Sequence, residues 1–106
     1  MKKYKNYYGH RRFYELLDKM AEIHSKKNRD YGKLEDPLAN FKMSRELGIS
    51  PFLGCLIRIS DKYSRIAGFA KKGFMEVKEE SIQDTLIDLS VYAIIATILY
   101  EEEYKK

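Results

Sequence analysis

Three acidic residues in the last third of the chain, Glu80, Asp84 and Asp88, are spaced by four. On an α-helix turning about 100° per residue they form one strip, and Ser81, Tyr92, Ile95 and Leu99 fall within about 40° of Asp88. A strip that is acidic in its first half and apolar in its second aims its carboxylates at the interior of a helical bundle or at its open end. Carboxylates there need compensation, because unpaired charge is costly to bury. A divalent cation is one source: Mg²⁺ takes oxygen ligands and commonly uses one or two carboxylates together with substrate phosphates. Protein cations are the other, and Arg58, Lys62 and Arg65 are the candidates. An acidic first turn favoured by the helix macrodipole accounts for Glu79 and Glu80. It does not account for Asp88, two turns or more further in.

A second polar strip is formed by Arg58, Asp61 and Arg65 at i, i+3 and i+7, so that Asp61 can pair with both arginines. Gly54 and Gly68 lie within about 20° of Asp61 and would let another group approach closely. The forked donors of arginine suit a triphosphate. A solvated ion-pair face is the plainer reading, and such pairs add little stability. Lys27, Asp30, Tyr31 and Gly32 form a third cluster, where a base could stack on Tyr31 or where a tyrosine simply packs on a helix end. His24 has no second histidine or cysteine at ligand spacing and reads as a face residue. Cys55 is the single cysteine and sits in an apolar stretch, as a buried small hydrophobe would. One thiol makes no internal disulfide, which points to a reducing, cytoplasmic compartment.

The elements that must position these residues are helices. Arg11 to Asn28 places Phe13, Leu16, Leu17, Met20, Ile23 and His24 on one amphipathic face, stopping near Asp30-Tyr31-Gly32. Asp36-Pro37 reads as an N-cap followed by proline, opening a short helix from Pro37 to Leu47 that Gly48 ends. Ser50-Pro51 repeats that signal and opens a helix to Lys72, closed by Gly73. Its apolar seam is Phe52, Leu56, Ile59, Tyr63, Ile66 and Ala70, at bundle-like intervals of four and three. A fourth helix begins between Val77 and Glu80 and runs to about Tyr104. No stretch alternates with period two, so no sheet is expected. The fold class is all-α, an up-and-down bundle of about four helices joined by short connections.

The chain has 106 residues, 44% hydrophobic and 34% charged, which suits a globular domain with a modest core. A small helical domain of this kind often completes its core by self-association, and a homo-oligomer is expected. The longest apolar run, Leu89 to Leu99, is too short for a bilayer, which takes about 20 residues. No signal-peptide core is visible near the N-terminus, and no membrane partner is expected. The net charge of +4 is unevenly spread: residues 1–12 hold Lys2, Lys3, Lys5, Arg11 and Arg12 and no acid, while fifteen basic and sixteen acidic side chains remain in the rest. We therefore divide the chain into a basic arm, residues 1–12, and a helical domain, residues 13–104. Tyr4, Tyr7 and Tyr8 interleave with the arm's cations, so that nucleic acid could meet both phosphate contacts and stacking. A frayed, solvated terminus is the plainer reading of the arm and the favoured one.

Four motifs together resemble one family. They are Lys27-x-x-Asp30-Tyr31-Gly32, Asp36-Pro37-Leu38-x-Asn40-Phe41, Arg58-x-x-Asp61-Lys62-x-x-Arg65, and Glu80-Ser81-x-x-Asp84-Thr85-Leu86-x-Asp88-Leu89-x-x-Tyr92-Ala93. Spread over residues 13–100, they resemble the phage-linked nucleotide modification associated domain family, itself similar to the MazG-like all-alpha NTP pyrophosphatases. The resemblance implies a helical bundle, often oligomeric. It implies acidic residues of two helices holding Mg²⁺ against a nucleoside triphosphate, which is hydrolysed to the monophosphate and pyrophosphate. Carried over by motif, Asp61, Asp84 and Asp88 take the catalytic positions and Glu80, Asp84 and Asp88 the metal. Lys27, Asp30, Tyr31, Asn40, Arg58, Lys62 and Arg65 take the substrate. The MazG-like group has two adjacent glutamates and a third one turn on, where this chain has Arg58, Asp61, Lys62 and Arg65. That leaves fewer carboxylates for metal and more cations for phosphate.

Three functions follow as expectations. The first is a metal-dependent nucleoside triphosphate pyrophosphohydrolase or a related nucleotide-processing enzyme. The second is a non-catalytic nucleotide-binding or helical interaction module. The third is a DNA-binding regulator, because Ser44 to Ser50 followed by Ile57 has helix-turn-helix spacing. Against the third, Gly54 stands where that motif wants a packed aliphatic residue.

Overall fold

A computed structural model describes residues 2–31, 36–75 and 81–105. These residues form four α-helices and two short 3-10 segments, with no strand among them. The helices are α1 (Arg11–Tyr31), α2 (Ala39–Lys42), α3 (Pro51–Lys72) and α4 (Ile82–Tyr104). The all-α class expected from the periodicity is thus the one observed. The backbone divides into two compact units, Met1–Pro37 and Leu38–Lys106.

In the first unit the arm folds back on α1 and is not a frayed end. Its 3-10 turn, Lys2–Tyr4, brings Tyr4 onto Tyr14 with ring centroids 5.0 Å apart, and Tyr7 stands edge-on to both rings. The Tyr14 hydroxyl donates to the Tyr8 carbonyl, and Lys3 pairs with Asp18 at 3.1 Å. That carboxylate holds the Lys3 ammonium above its ordinary pKa. Four tyrosines and a phenylalanine within residues 4–14 supply the contact area that a purely charged terminus lacks. Helix α1 starts on His10, whose Nδ1 accepts from the Arg12 backbone at 3.0 Å.

In the second unit each long helix is set by local chemistry. Ser50 Oγ accepts from Leu53 N at 3.1 Å and Pro51 occupies the first turn of α3, where no amide proton is needed. Gly73, at φ +80°, takes the left-handed conformation that closes the helix, and its amide donates to Phe69 O. Ser81 opens α4 in the same way, its hydroxyl accepting from Asp84 N at 3.0 Å. This corrects the expected start between Val77 and Glu80: the serine, not the acids before it, is the cap. The start of α2 is corrected too. Helical geometry begins at Ala39 rather than Pro37, because Leu38 must turn into the core, where it is buried. A 3-10 segment, Met43–Leu47, then carries the chain to Gly48 at φ +75°.

Helices α3 and α4 run antiparallel. The Phe52 amide donates to Glu103 Oε2 at 2.7 Å, Cys55 Sγ donates to Tyr92 O at 3.4 Å, and Lys62 meets Asp88 at 3.0 Å. Between them lie Cys55, Ile95, Ala96 and Leu99, joined by Leu38 and edged by Phe41, Phe52, Ile59, Val91 and Tyr92. The buried face of α3 passes through Cys55, Ile59, Lys62 and Ile66. It is turned by roughly 60° from the expected seam at about 100° per residue, so that Leu56, Tyr63 and Ala70 are exposed. Lys62 on this face is half-buried and its ammonium reaches Asp88, which an apolar count does not register.

From Leu89 to Tyr100, α4 carries no charged side chain and presents apolar residues on all sides. Thr85, Ile95, Ala96 and Leu99 are buried, while Leu86, Ile94 and Ile98 are 44%, 51% and 40% exposed. The Ser90 and Thr97 hydroxyls donate back to Leu86 O and Ala93 O within the helix. With 23 residues, α4 is by length and composition alone long and apolar enough to cross a membrane, a test that core helices of soluble proteins also pass. The eleven-residue run of the sequence is therefore only part of the apolar helix.

Two glycines inside α3 allow a direct check. A Cβ at Gly68 would meet nothing within 4 Å, whereas one at Gly54 would lie 3.0 Å from Ser44 Cβ and Oγ. Gly68→Ala should raise stability by about 0.5–1 kcal/mol in thermal or urea unfolding. Gly54→Ala should show little or none of that gain.

Candidate functional site

The close approach at Gly54 brings the 3-10 segment Met43–Leu47 against α3 and shapes a groove of about 390 Å³. Asn40, Phe41, Ser44, Glu46, Gly54 and Arg58 are among the residues that line it. The Arg58 guanidinium sits over the Phe41 ring, 4.5 Å from its centroid, and Phe41 in turn stands edge-on to Tyr92 at 6.0 Å. A guanidinium lying on a ring keeps its donor edge available to a second group. Ser44 Oγ is buried and has no hydrogen-bond partner among the described residues. Thus Asn40 and Arg58, singled out by motif, do come together, with Phe41 and Ser44 between them. The signal for Ser44 in the sequence was Gly54, a helix-interior glycine that demands a close neighbour without saying which.

Along α3, Arg58, Lys62 and Arg65 fall within about 60° of one another and span seven residues, about 10 Å of helix axis. Lys62 is the most enclosed, its side chain 14% exposed, and its partner Asp88 is 27% exposed. Arg65 pairs with Asp61 at 3.3 Å on the surface. At about 100° per residue the strip would stand opposite the seam Phe52–Ala70 that apolar periodicity predicts. With the seam turned toward it, the strip instead runs along the seam's edge.

The described acids of the motifs are Asp61, Asp84 and Asp88. Asp84 is exposed in the first turn of α4, where the macrodipole favours a carboxylate. Asp88 is one turn on, paired with Lys62. Asp61 is exposed and paired with Arg65. Among the described residues no three His, Cys, Asp or Glu side chains converge on one point. Glu80 and Gly32 lie outside the described residues. Lys27, Asp30 and Tyr31 are in the last turns of α1 in the first unit, with the side chains of Asp30 and Tyr31 outside the description.

At the far end of α3, Arg65, Gly68, Phe69, Lys72 and Phe74 line a second cleft, of about 270 Å³. Of these, sequence reasoning had singled out Arg65 and Gly68 for the polar face, but not Phe69, Lys72 or Phe74. Cys55 is 1% exposed, and burial pushes its thiol pKa above the ordinary 9.0, with Arg58 opposing. Burial thus favours the protonated thiol. Comparison with family models, curated proteins and solved structures finds no match to this chain.

The Lys62–Asp88 pair can be separated from function by its energetics. Asp88→Ala leaves an ammonium without this partner in the seam and should cost about 1–3 kcal/mol in urea unfolding. Lys62→Met with Asp88→Leu should recover most of that loss, since apolar replacements of matching size tolerate the same site. Losses that simply add would show that the two side chains do not act as a pair.

Proposed function

We propose that the second unit binds a nucleoside triphosphate, with Arg58 as the principal phosphate ligand in the groove of Asn40, Phe41 and Ser44. The observation that carries this reading is the arrangement of Arg58: a guanidinium held on a ring in a groove large enough for a small ligand. The Asn40 amide offers polar contacts to sugar or base, and Lys62 and Arg65 continue the positive strip along α3. The motif resemblance supplies the ligand class.

A second reading, hydrolysis to the monophosphate and pyrophosphate, is favoured by Asp84 and Asp88 lying one turn apart on α4. Mg²⁺ is commonly carried by nucleotide phosphates and needs only one or two protein carboxylates; Asp84, the more exposed, would meet it. The helix-turn-helix reading is weakened by α3 itself, whose early turns expose Leu53, Leu56 and Ile57 where base-reading side chains belong.

The test pairs nucleotide-induced thermal shift and calorimetry, with and without Mg²⁺, with pyrophosphate release across ribo- and deoxyribonucleoside triphosphates. Arg58→Ala should weaken binding about 10-fold or more, the usual worth of a charge-assisted hydrogen bond. Absence of binding, or binding indifferent to Arg58→Ala, overturns the proposal. Pyrophosphate release that disappears in Asp84→Asn with binding intact selects the enzyme; binding without release selects the non-catalytic module.

The same reading includes self-association, supported by the exposed Leu86, Ile94 and Ile98 on α4. A helix apolar on all sides needs cover on all sides. Ile94→Glu with Ile98→Glu should convert an oligomer to a monomer in size-exclusion light scattering. A monomeric wild-type chain overturns this part.

A further inference from the structure

The first unit carries a surface unused by the groove on α3. Tyr4, Tyr7 and Tyr14 pack against one another, fixing a cleft of about 240 Å³ that Lys5, Gly9 and Arg11 complete. Gly9 is held at φ +116°, and a Cβ there would come within 3.2 Å of Tyr14 Oη, so the turn between arm and helix is built for glycine. Around the cleft Tyr8 is 95% and Tyr7 61% exposed. An exposed ring that adds nothing to the cluster behind it is a stacking face.

The charges beside these rings are incompletely neutralised. Arg11 and Arg12 share one carboxylate, Glu15, at 3.6 and 3.2 Å. Lys3 is matched by Asp18, and Lys5 lines the cleft. Residues 1–12 contain no acid. Two or more cations next to exposed rings, on a turn already ordered by its own packing, suit a polyanion with unstacked aromatic groups.

We propose that this tyrosine-and-cation surface binds single-stranded nucleic acid, with Tyr8 and Tyr7 stacking on bases and Lys5, Arg11 and Arg12 contacting phosphates. A duplex hides its base faces and would offer only the phosphate contacts. An anionic lipid surface would need a continuous apolar face, and residues 2–15 contain no aliphatic side chain at all.

The test uses the full chain and anisotropy of labelled oligo(dT) and oligo(U), a duplex of equal length, and vesicles containing phosphatidylserine. Binding should favour the single strands and weaken with salt, at a slope of about −0.7 per phosphate contact. Tyr8→Ala removes a fully exposed ring and should weaken single-strand binding about fivefold or more, by the usual worth of one stacked base. Lys5→Glu should reduce the salt slope by about one contact. Equal affinity for duplex, indifference to Tyr8→Ala, or binding to vesicles alone would each overturn the proposal. Nucleotide binding by the α3 groove is measured with Arg58→Ala, so the failure of either proposal leaves the other standing.

Discussion

The seam between α3 and α4 is the contact on which everything else in the second unit hangs. Cys55, Ile95, Ala96 and Leu99 form it, and Leu38 and Phe41 dock against it from the preceding segment. Burying a leucine or isoleucine contributes about 1.5–3 kcal/mol, but such contacts are non-directional and would tolerate a slip of one helix along the other. The polar contacts remove that freedom. The Phe52 amide meets Glu103 at one end, and Lys62 meets Asp88 more than two turns away along α3. Each contact requires one register. The Glu103 carboxylate also satisfies one of the amides that every helix start leaves without a partner, so it orders the join and caps α3 at once.

This arrangement divides labour between the two long helices. Helix α4, from Ile82 to Tyr104, contains no Lys or Arg and turns its serine and threonine hydroxyls back onto its own carbonyls. It is suited to burial on more than one side. Helix α3 carries the cations, and none of the groove's lining residues comes from α4. Cover on the outward face of α4 therefore does not draw on the residues that form the groove. The ion pair across the seam beside the cationic strip, Lys62 to Asp88, engages a carboxylate that the motif resemblance would give to metal.

How much of this could be read from the sequence depended on the range of the interaction. The bounds of α3 were legible to the residue, because Ser50, Pro51 and Gly73 act within one turn of themselves. The start of α4 was misread because acids before a helix and a serine cap both suit its positive end. The serine's hydroxyl is the group that accepts from the Asp84 amide in the described structure. The seam of α3 was misplaced because apolar periodicity weighs Lys62 as polar and Tyr63 as apolar, whereas the structure half-buries the first and exposes the second. Asn40 and Arg58 were found by motif. Phe41 and Ser44 became meaningful only when Gly54 was seen to receive the 3-10 segment, a contact between positions ten residues apart with no local signal.

Within the proposed nucleotide site the two arginines differ in what holds them. Arg65 leans on Asp61, so an incoming phosphate must compete with a carboxylate. Arg58 leans on Phe41, which fixes the guanidinium without neutralising it. Phe41 is itself braced by Tyr92, and Tyr92 borders the buried seam. Side-chain freedom that a flexible arginine would lose on binding is thus already lost on folding, and the positive charge remains in place. Preorganisation of this kind raises affinity by lowering the cost of association rather than by adding contacts. It links the apolar seam to the groove through a single path of rings.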